Sequence, residues 1–235
     1  MKDLPVSYEV VKRKVIESKI PNIGKATIRE IKKIINEIEA ETEIKYIRME
    51  MGVPGLPPAQ IGTEAEIDAL KKGVGAIYPE IDGLPELKKE ATRFIKLFLD
   101  IDINTENVIP TVGSAQGSYA AFMTVNRMYK EKDTTLFLDP CFPVHKQQHH
   151  IIGTKYEAFD VYNYRGDKLK EKIESYLKKG NIASIIYSNP NNPSWICFTD
   201  KELRIIAELA DKYNVVVMED LAYFGMDFRK DYSQP

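Results

Sequence analysis

Four polar stretches in this sequence follow short apolar runs, and each carries side chains suited to holding a flat, phosphorylated ligand. After NVIPTV (residues 107–112) come Gly113, Ser114, Ala115, Gln116 and Gly117. Small residues let a backbone approach an anion, and a helix that opens there presents free N–H groups and the positive end of its dipole. The same residues also suit a tight turn into a helix. No Gly-Lys-Ser/Thr follows, and the spacing is not G-x-G-x-x-G, so neither common nucleotide loop is present. After TTLFLD (134–139), Phe142 stands between Pro140 and Pro143 on a stiff loop. Its ring can stack on a heterocycle or fill a core. After IASIIY (182–187) comes SNPNNPSW, where Asn192 is restrained by Pro193 to extended backbone. Its amide can donate to a ligand oxygen or simply build a turn. After VVVM (215–218) come Glu219 and Asp220, with Tyr223 three residues on. A carboxylate at the end of a buried strand is costly unless it meets a cation or donors; Asp is also a common helix N-cap.

Each signal is weak singly. Jointly they place an anion cradle, a ring stacker, an amide donor, a carboxylate and a phenol at successive strand ends. That set suits a phosphorylated aromatic cofactor with a basic ring nitrogen and a ring hydroxyl. A competing constellation is His145, His149 and His150, all within six residues. His145 and His149 are four apart, as metal-clamping histidines on a helix are, and Cys141 is near. No carboxylate or further cysteine completes a set, so a partly exposed helix face is expected.

The elements that must position these residues alternate. Ile28, Ile31, Ile34, Ile35 and Ile38 fall at helical spacing within an N-terminal helical region. MGVPGLPPAQIG (51–62) then admits no regular element. A helix follows, with Thr63 and Glu66 read as its capping box. Leu84, Leu87, Ala91, Phe94, Ile95 and Phe98 form another helical stripe. From there the pattern predicts strand 107–112, helix 114–129, strand 134–139, helix 145–152, strand 154–159, helix 168–178, strand 182–187, helix 199–213 with a Thr199/Glu202 capping box, and strand 215–220. Strands alternating with helices predict an α/β fold with a mostly parallel sheet flanked by helices. In open sheets of this kind, ligands bind at the carboxyl ends of the strands. The break near residue 52 suggests an N-terminal helical segment, 1–51, and a larger domain, 52–235.

Composition narrows the partners. A net charge of −2 gives no broad basic field for nucleic acid or an anionic membrane. No apolar run approaches the ~18 residues a membrane span needs, and the N-terminus has no signal-peptide core. Cys141 and Cys197 are far apart, which argues against a disulfide framework and for a reducing compartment. Asn192-Pro193-Ser194 carries the proline that blocks glycosylation. A cytoplasmic location is expected.

The stretches YPEIDGLPELKKEATRF, PTVGSAQGSYAAF, LDPCFPVHK, SNPNNPSW and MEDLAYFGMDF occur in the order in which they stand in class I/II aminotransferases. From about residue 50 to its end the chain resembles the N-terminal part of that family, whose members are pyridoxal-phosphate enzymes of fold type I. The resemblance implies an α/β large domain with residues 1–51 part of a small domain, pyridoxal 5'-phosphate as cofactor, and amino transfer between an amino acid and a 2-oxo acid. It also implies a homodimer. Ser114, Ala115 and Gln116 would hold the phosphate, and Phe142 would stack on the pyridine. Asn192 and Tyr223 would hydrogen-bond the ring hydroxyl oxygen, and Asp220 would pair with the pyridine nitrogen. Tyr78 would reach the phosphate in the neighbouring subunit, and residues 52–55 would line the substrate side.

Two departures stand out. The family's usual Asn-Pro-Thr-Gly reads Asn192-Pro193-Ser194-Trp195 here. The Schiff-base lysine and the arginine for the substrate carboxylate are expected beyond Pro235. Lys230 is too close to Asp220, and lies in too charged a loop, to serve. The catalytic lysine is thus unassigned, and these 235 residues by themselves are expected to be inactive. The same motifs suit a carbon–sulfur lyase of this fold, or a non-catalytic aminotransferase-like binding domain. A regulator of the latter kind carries a winged-helix domain with no visible counterpart in residues 1–50. A nucleotide-binding α/β protein would leave Asp220 without a cationic partner.

Overall fold

The computed structural model describes residues 5–53 and 55–226; Lys230 lies outside them. The backbone forms two compact units, Met1–Ile77 and Tyr78–Pro235.

In the first unit, helices α1 (Tyr8–Glu17) and α2 (Ile28–Thr42) close a small core around Val6, Ile34 and Ile38. The isoleucine stripe explains α2, since residues at this spacing share one helix face. Thr27 caps it with Glu30 in a reciprocal box. Helix α3 (Gln60–Lys71) begins three residues before the expected Thr63, with Ala59 at its cap. The capping box assigned to Thr63 and Glu66 is therefore not one. Once Pro57 and Pro58 are passed nothing bars the helical turn, and Thr63 already lies inside it.

In the second unit, helix α4 (Pro85–Leu99) starts on the proline whose fixed φ suits a first helical position. Helix α5 (Ser114–Met128) then leads to four strands: β1 (Thr134–Asp139), β2 (Lys155–Asp160), β3 (Ile182–Ser188) and β4 (Val216–Asp220). Helices α6 (Pro143–Ile152), α7 (Asp167–Leu177) and α8 (Asp200–Tyr213) connect them. The sheet order is β2-β1-β3-β4, every pair parallel. Strand β3 is buried throughout, as a near-continuous apolar run in a parallel sheet should be.

The pleat sorts the side chains. Leu136, Leu138, Ile185 and Tyr187 face Leu169, Ile173 and Leu177 of α7 and Ile205, Ile206 and Leu209 of α8. Phe137 and Ile186 point the other way, toward Phe122 of α5. Thr135 and Ser184 share that second face, their hydroxyls 2.9 Å apart, and Asn126 of α5 donates to Thr135 at 3.0 Å. The Thr199/Glu202 capping box of α8 is present.

One expected strand is missing. Residues 107–112 form no ladder; a 3₁₀ turn covers Thr105–Asn107, and the backbone at Val108 is extended but unpaired. Composition favours strand there, but a strand exists only where a neighbour supplies hydrogen bonds, and none does so among the described residues.

Candidate functional site

The carboxyl ends of β1, β3 and β4, and the start of α5, converge through one helix. Gly113 precedes α5 at φ +75°, a conformation glycine takes without penalty, and no side chain caps that helix. The amides of Ser114 and Ala115 are in the first turn, where an α-helix supplies no acceptor. Gln116 folds back, its Oε1 accepting from the Val112 amide at 2.5 Å. Ser114, Ala115 and Gln116 are all exposed. This turn is anchored from α6: the buried Gln148 donates Nε2 to the Ala115 carbonyl at 2.7 Å and accepts from Ser118 Oγ at 2.9 Å.

One turn earlier on α6, the buried His145 places Nε2 3.9 Å from Asp220 Oδ2, at the end of β4. Burial lowers the His145 pKa, and the Asp220 charge opposes that only in part. Its imidazole is therefore neutral near pH 7. Asp220 Oδ1 accepts from the Ala222 amide at 3.1 Å, a bond that turns the chain rather than capping a helix, because residues 221–224 form a turn. Phe142, at the N-cap of α6, sets its ring edge to face with His145 at 5.5 Å. At 36% exposure it is not a core aromatic.

The loop after β3 is organised by Asn191 rather than Asn192. Buried Asn191 donates Nδ2 to the Pro140 carbonyl (2.6 Å) and to Ser188 Oγ (3.2 Å), tying the β3 loop to the β1 loop. The Asn192 amide donates to Ser188 Oγ at 3.3 Å, and its side chain is half-buried. The Asn189 amide donates to the Asp220 carbonyl at 3.2 Å, which joins this loop to the end of β4. Tyr223 meets Trp195 edge to face at 5.7 Å.

The structure thus links Ser114, Ala115 and Gln116 to Phe142 and Asp220 through α6, and Asn192 and Tyr223 to Asp220 through the β3 and β4 ends. Tyr78 stands apart, 99% exposed. Sequence reasoning missed Gln148 and Asn191, and weighed His145 only as a metal ligand. The histidine helix is not the partly exposed face expected: His145 and His149 are buried and only His150 is exposed. The available signal was the spacing of His145, Gln148 and His149, which share a face at i, i+3 and i+4. No group of three metal-ligating side chains assembles among the described residues. Burial and the Asp139 carboxylate push the Cys141 thiol up to about 12, which disfavours the thiolate a metal would need.

Residues 45–234 match the family described as aminotransferase class I and II. An aspartate aminotransferase of Pyrococcus horikoshii is 30% identical over 214 residues, covering 88% of this chain and 51% of that protein. An LL-diaminopimelate aminotransferase of Dehalococcoides mccartyi is 27% identical over 220 residues, with 91% and 54% covered. An alanine aminotransferase structure from Pyrococcus furiosus superposes with a TM-score of 0.73 at 25% identity, over 87% of this chain and 52% of that one. The chain spans about half the length of the curated relatives it matches.

Proposed function

Because the chain belongs to the class I and II aminotransferases, we propose that it forms much of the cofactor site of a pyridoxal-phosphate-dependent enzyme that moves an amino group between an amino acid and a 2-oxo acid. Pyridoxal 5'-phosphate, when bound, supplies the electron sink that makes removal of a proton from an amino acid's α-carbon possible. The observation that carries the reading is Asp220 at the end of β4, beside a buried imidazole whose pKa is lowered and which packs against the exposed ring of Phe142.

The residues fit that group chemically. The uncapped first turn of α5, at Ser114, Ala115 and Gln116, offers amides and a positive dipole end to a phosphate. The Asp220 carboxylate would hold a proton on the pyridine nitrogen by charge pairing. Neutral His145 adds no competing positive charge, and packing under Phe142 and Phe122 limits where its ring can go. Phe142 would cover one face of the pyridine. Asn192 and Tyr223 would donate to the ring hydroxyl oxygen and set the tilt of the ring.

Residues 1–51 are assigned to a small domain and 52–235 to the large domain. Residues 52–77 are given to the large domain by this assignment, although their backbone groups with the N-terminal unit. The exposed Tyr78 supports a homodimer in which that phenol reaches the partner's phosphate; a full-length protein that is an active monomer at assay concentration would end this assignment. The location is proposed to be the cytoplasm; no described helix is long and apolar enough to cross a membrane.

The test is reconstitution of the full-length protein with pyridoxal 5'-phosphate, followed by product analysis. Amino transfer requires a keto-acid acceptor, whereas a carbon–sulfur lyase would release pyruvate and a thiol without one. Failure to retain the cofactor would refute both.

A further inference from the structure

We propose that Trp195 is a specificity-determining residue, an aromatic wall beside Tyr223 that favours amino acids with apolar or aromatic side chains over dicarboxylic ones. The inference rests on the aminotransferase reading and adds the substrate class to it.

Trp195 adopts φ +56°, the left-handed region that bulky side chains rarely occupy and that costs stability. Its surroundings impose this. The Trp195 amide donates to the Asn191 carbonyl at 2.8 Å, and the Asn191 amide donates to the Ile196 carbonyl at 3.0 Å. Asn191 Oδ1 accepts from both the amide (3.2 Å) and the hydroxyl (2.7 Å) of Ser194. The turn is thus fixed on both sides, and Asn191 is itself locked to Ser188 and Pro140. A glycine would take this conformation freely.

Packing among the described residues accounts for only part of the choice of tryptophan. The residue is 52% exposed, so about half of its surface is open among the described residues. Its described ring contact is Tyr223, at 5.7 Å and 69°. Tyr223 is three residues from Asp220, and the Trp195 loop leaves β3, the strand paired with β4. Strain at a strand-end loop, for a ring that packs on Tyr223 and leaves its other half open, points to a ligand. An indole offers a broad apolar surface and an electron-rich face. Both suit an apolar or aromatic side chain, and the face repels a carboxylate.

The experiment uses full-length protein loaded with pyridoxal 5'-phosphate. The donor half-reaction is followed as the change in cofactor absorbance with L-leucine, L-phenylalanine or L-aspartate. Wild type is expected to react faster with leucine and phenylalanine than with aspartate. Trp195→Gly should lower the leucine-to-aspartate ratio of kcat/KM by about tenfold, the range a lost hydrophobic contact gives. Trp195→Phe should keep that ratio within about threefold. The melting midpoint of Trp195→Gly should hold or rise, because the strained conformation is relieved. Three results would each overturn the wall: a wild-type preference for aspartate, an equal loss for all donors in Trp195→Gly, or a fall of several degrees in its midpoint. Loss of selectivity is separable from failure of the underlying reading, which would appear as no half-reaction with any donor and would remove both.

Discussion

The two faces of the sheet are built from different chemistry. Toward α7 and α8 the contacts are aliphatic and aromatic: Leu136, Leu138 and Ile185 against Leu169, Ile173, Ile206 and Leu209, all buried. Toward α5 and α6 the buried side chains include Asn126, Thr135, Ser184, His145, Gln148 and His149. Non-directional packing tolerates small slips of a helix on a sheet. Hydrogen bonds such as Asn126 to Thr135, or Gln148 to Ala115, do not. The polar face therefore fixes where α5 and α6 stand, and these helices carry the uncapped turn at Ser114 and His145. The apolar face supplies stability. The charge buried there among the described residues, Glu202, is fully engaged: Arg165 grips both oxygens, and the Gly166 and Thr199 amides also donate to it.

That contrast breaks most visibly at Asp220. On the proposed function, Asp220→Ala in the full-length protein should lower turnover on the order of 10²–10³-fold, the usual cost of a lost electrostatic contact to the reacting system, with little change in melting midpoint. Full activity with an early melt would return Asp220 to a structural role. Ile173→Ala on the opposite face should do the reverse: about 2–5 kcal/mol of stability lost by urea unfolding, with turnover per folded molecule unchanged. A turnover defect in folded Ile173→Ala would show that the two faces are not separable.

Acid sharpens the contrast. Burial holds the His149 pKa at about 4, below its ordinary 6.5. Its ring lies among Phe122, Phe137 and Tyr156, its Nδ1 pairs with Thr154 Oγ1 at 2.7 Å, and its Nε2 has no partner. The unfolded chain binds the proton more tightly, so stability is intact above pH 6.5 and is lost as pH falls from 6.5 toward 4, by up to about 3 kcal/mol. On the other face, the Arg165 guanidinium and the capping amides hold Glu202 at about 2, against an ordinary 4.5. Its contribution is present above 4.5 and is lost between 4.5 and 2. The shift in urea midpoint between pH 7 and 5 should therefore be larger in wild type than in His149→Gln, where buried His145, whose pKa is also lowered, leaves a smaller shift. An equal pH dependence in that variant would assign the loss to another group.

Much of this was legible in the sequence because it is local. The alternation of β-rich runs with amphipathic stretches specified β1 to β4 and α5 to α8, since a residue's face follows from the period of its own element. Thr199 and Glu202 announced the start of α8 because capping is settled within four residues. The strand ends named Phe142, Asn192, Asp220 and Tyr223 because each lies within a few residues of its strand, whereas Ser114 was named from its glycine-flanked turn into α5 although no strand precedes it. What only the tertiary structure decided depends on neighbours distant along the chain. Residues 107–112 have strand composition but no ladder, because pairing needs a partner that composition cannot supply. One face of helix α6 is buried because it packs against α5 and β2, so His145 meets a carboxylate 75 positions later. Asn191 and Asn192 are chemically identical neighbours. Only the approach of Pro140 makes the first the hub of the loop and leaves the second half-exposed, because hydrogen-bond direction is set by the partner's position in space and not by residue type.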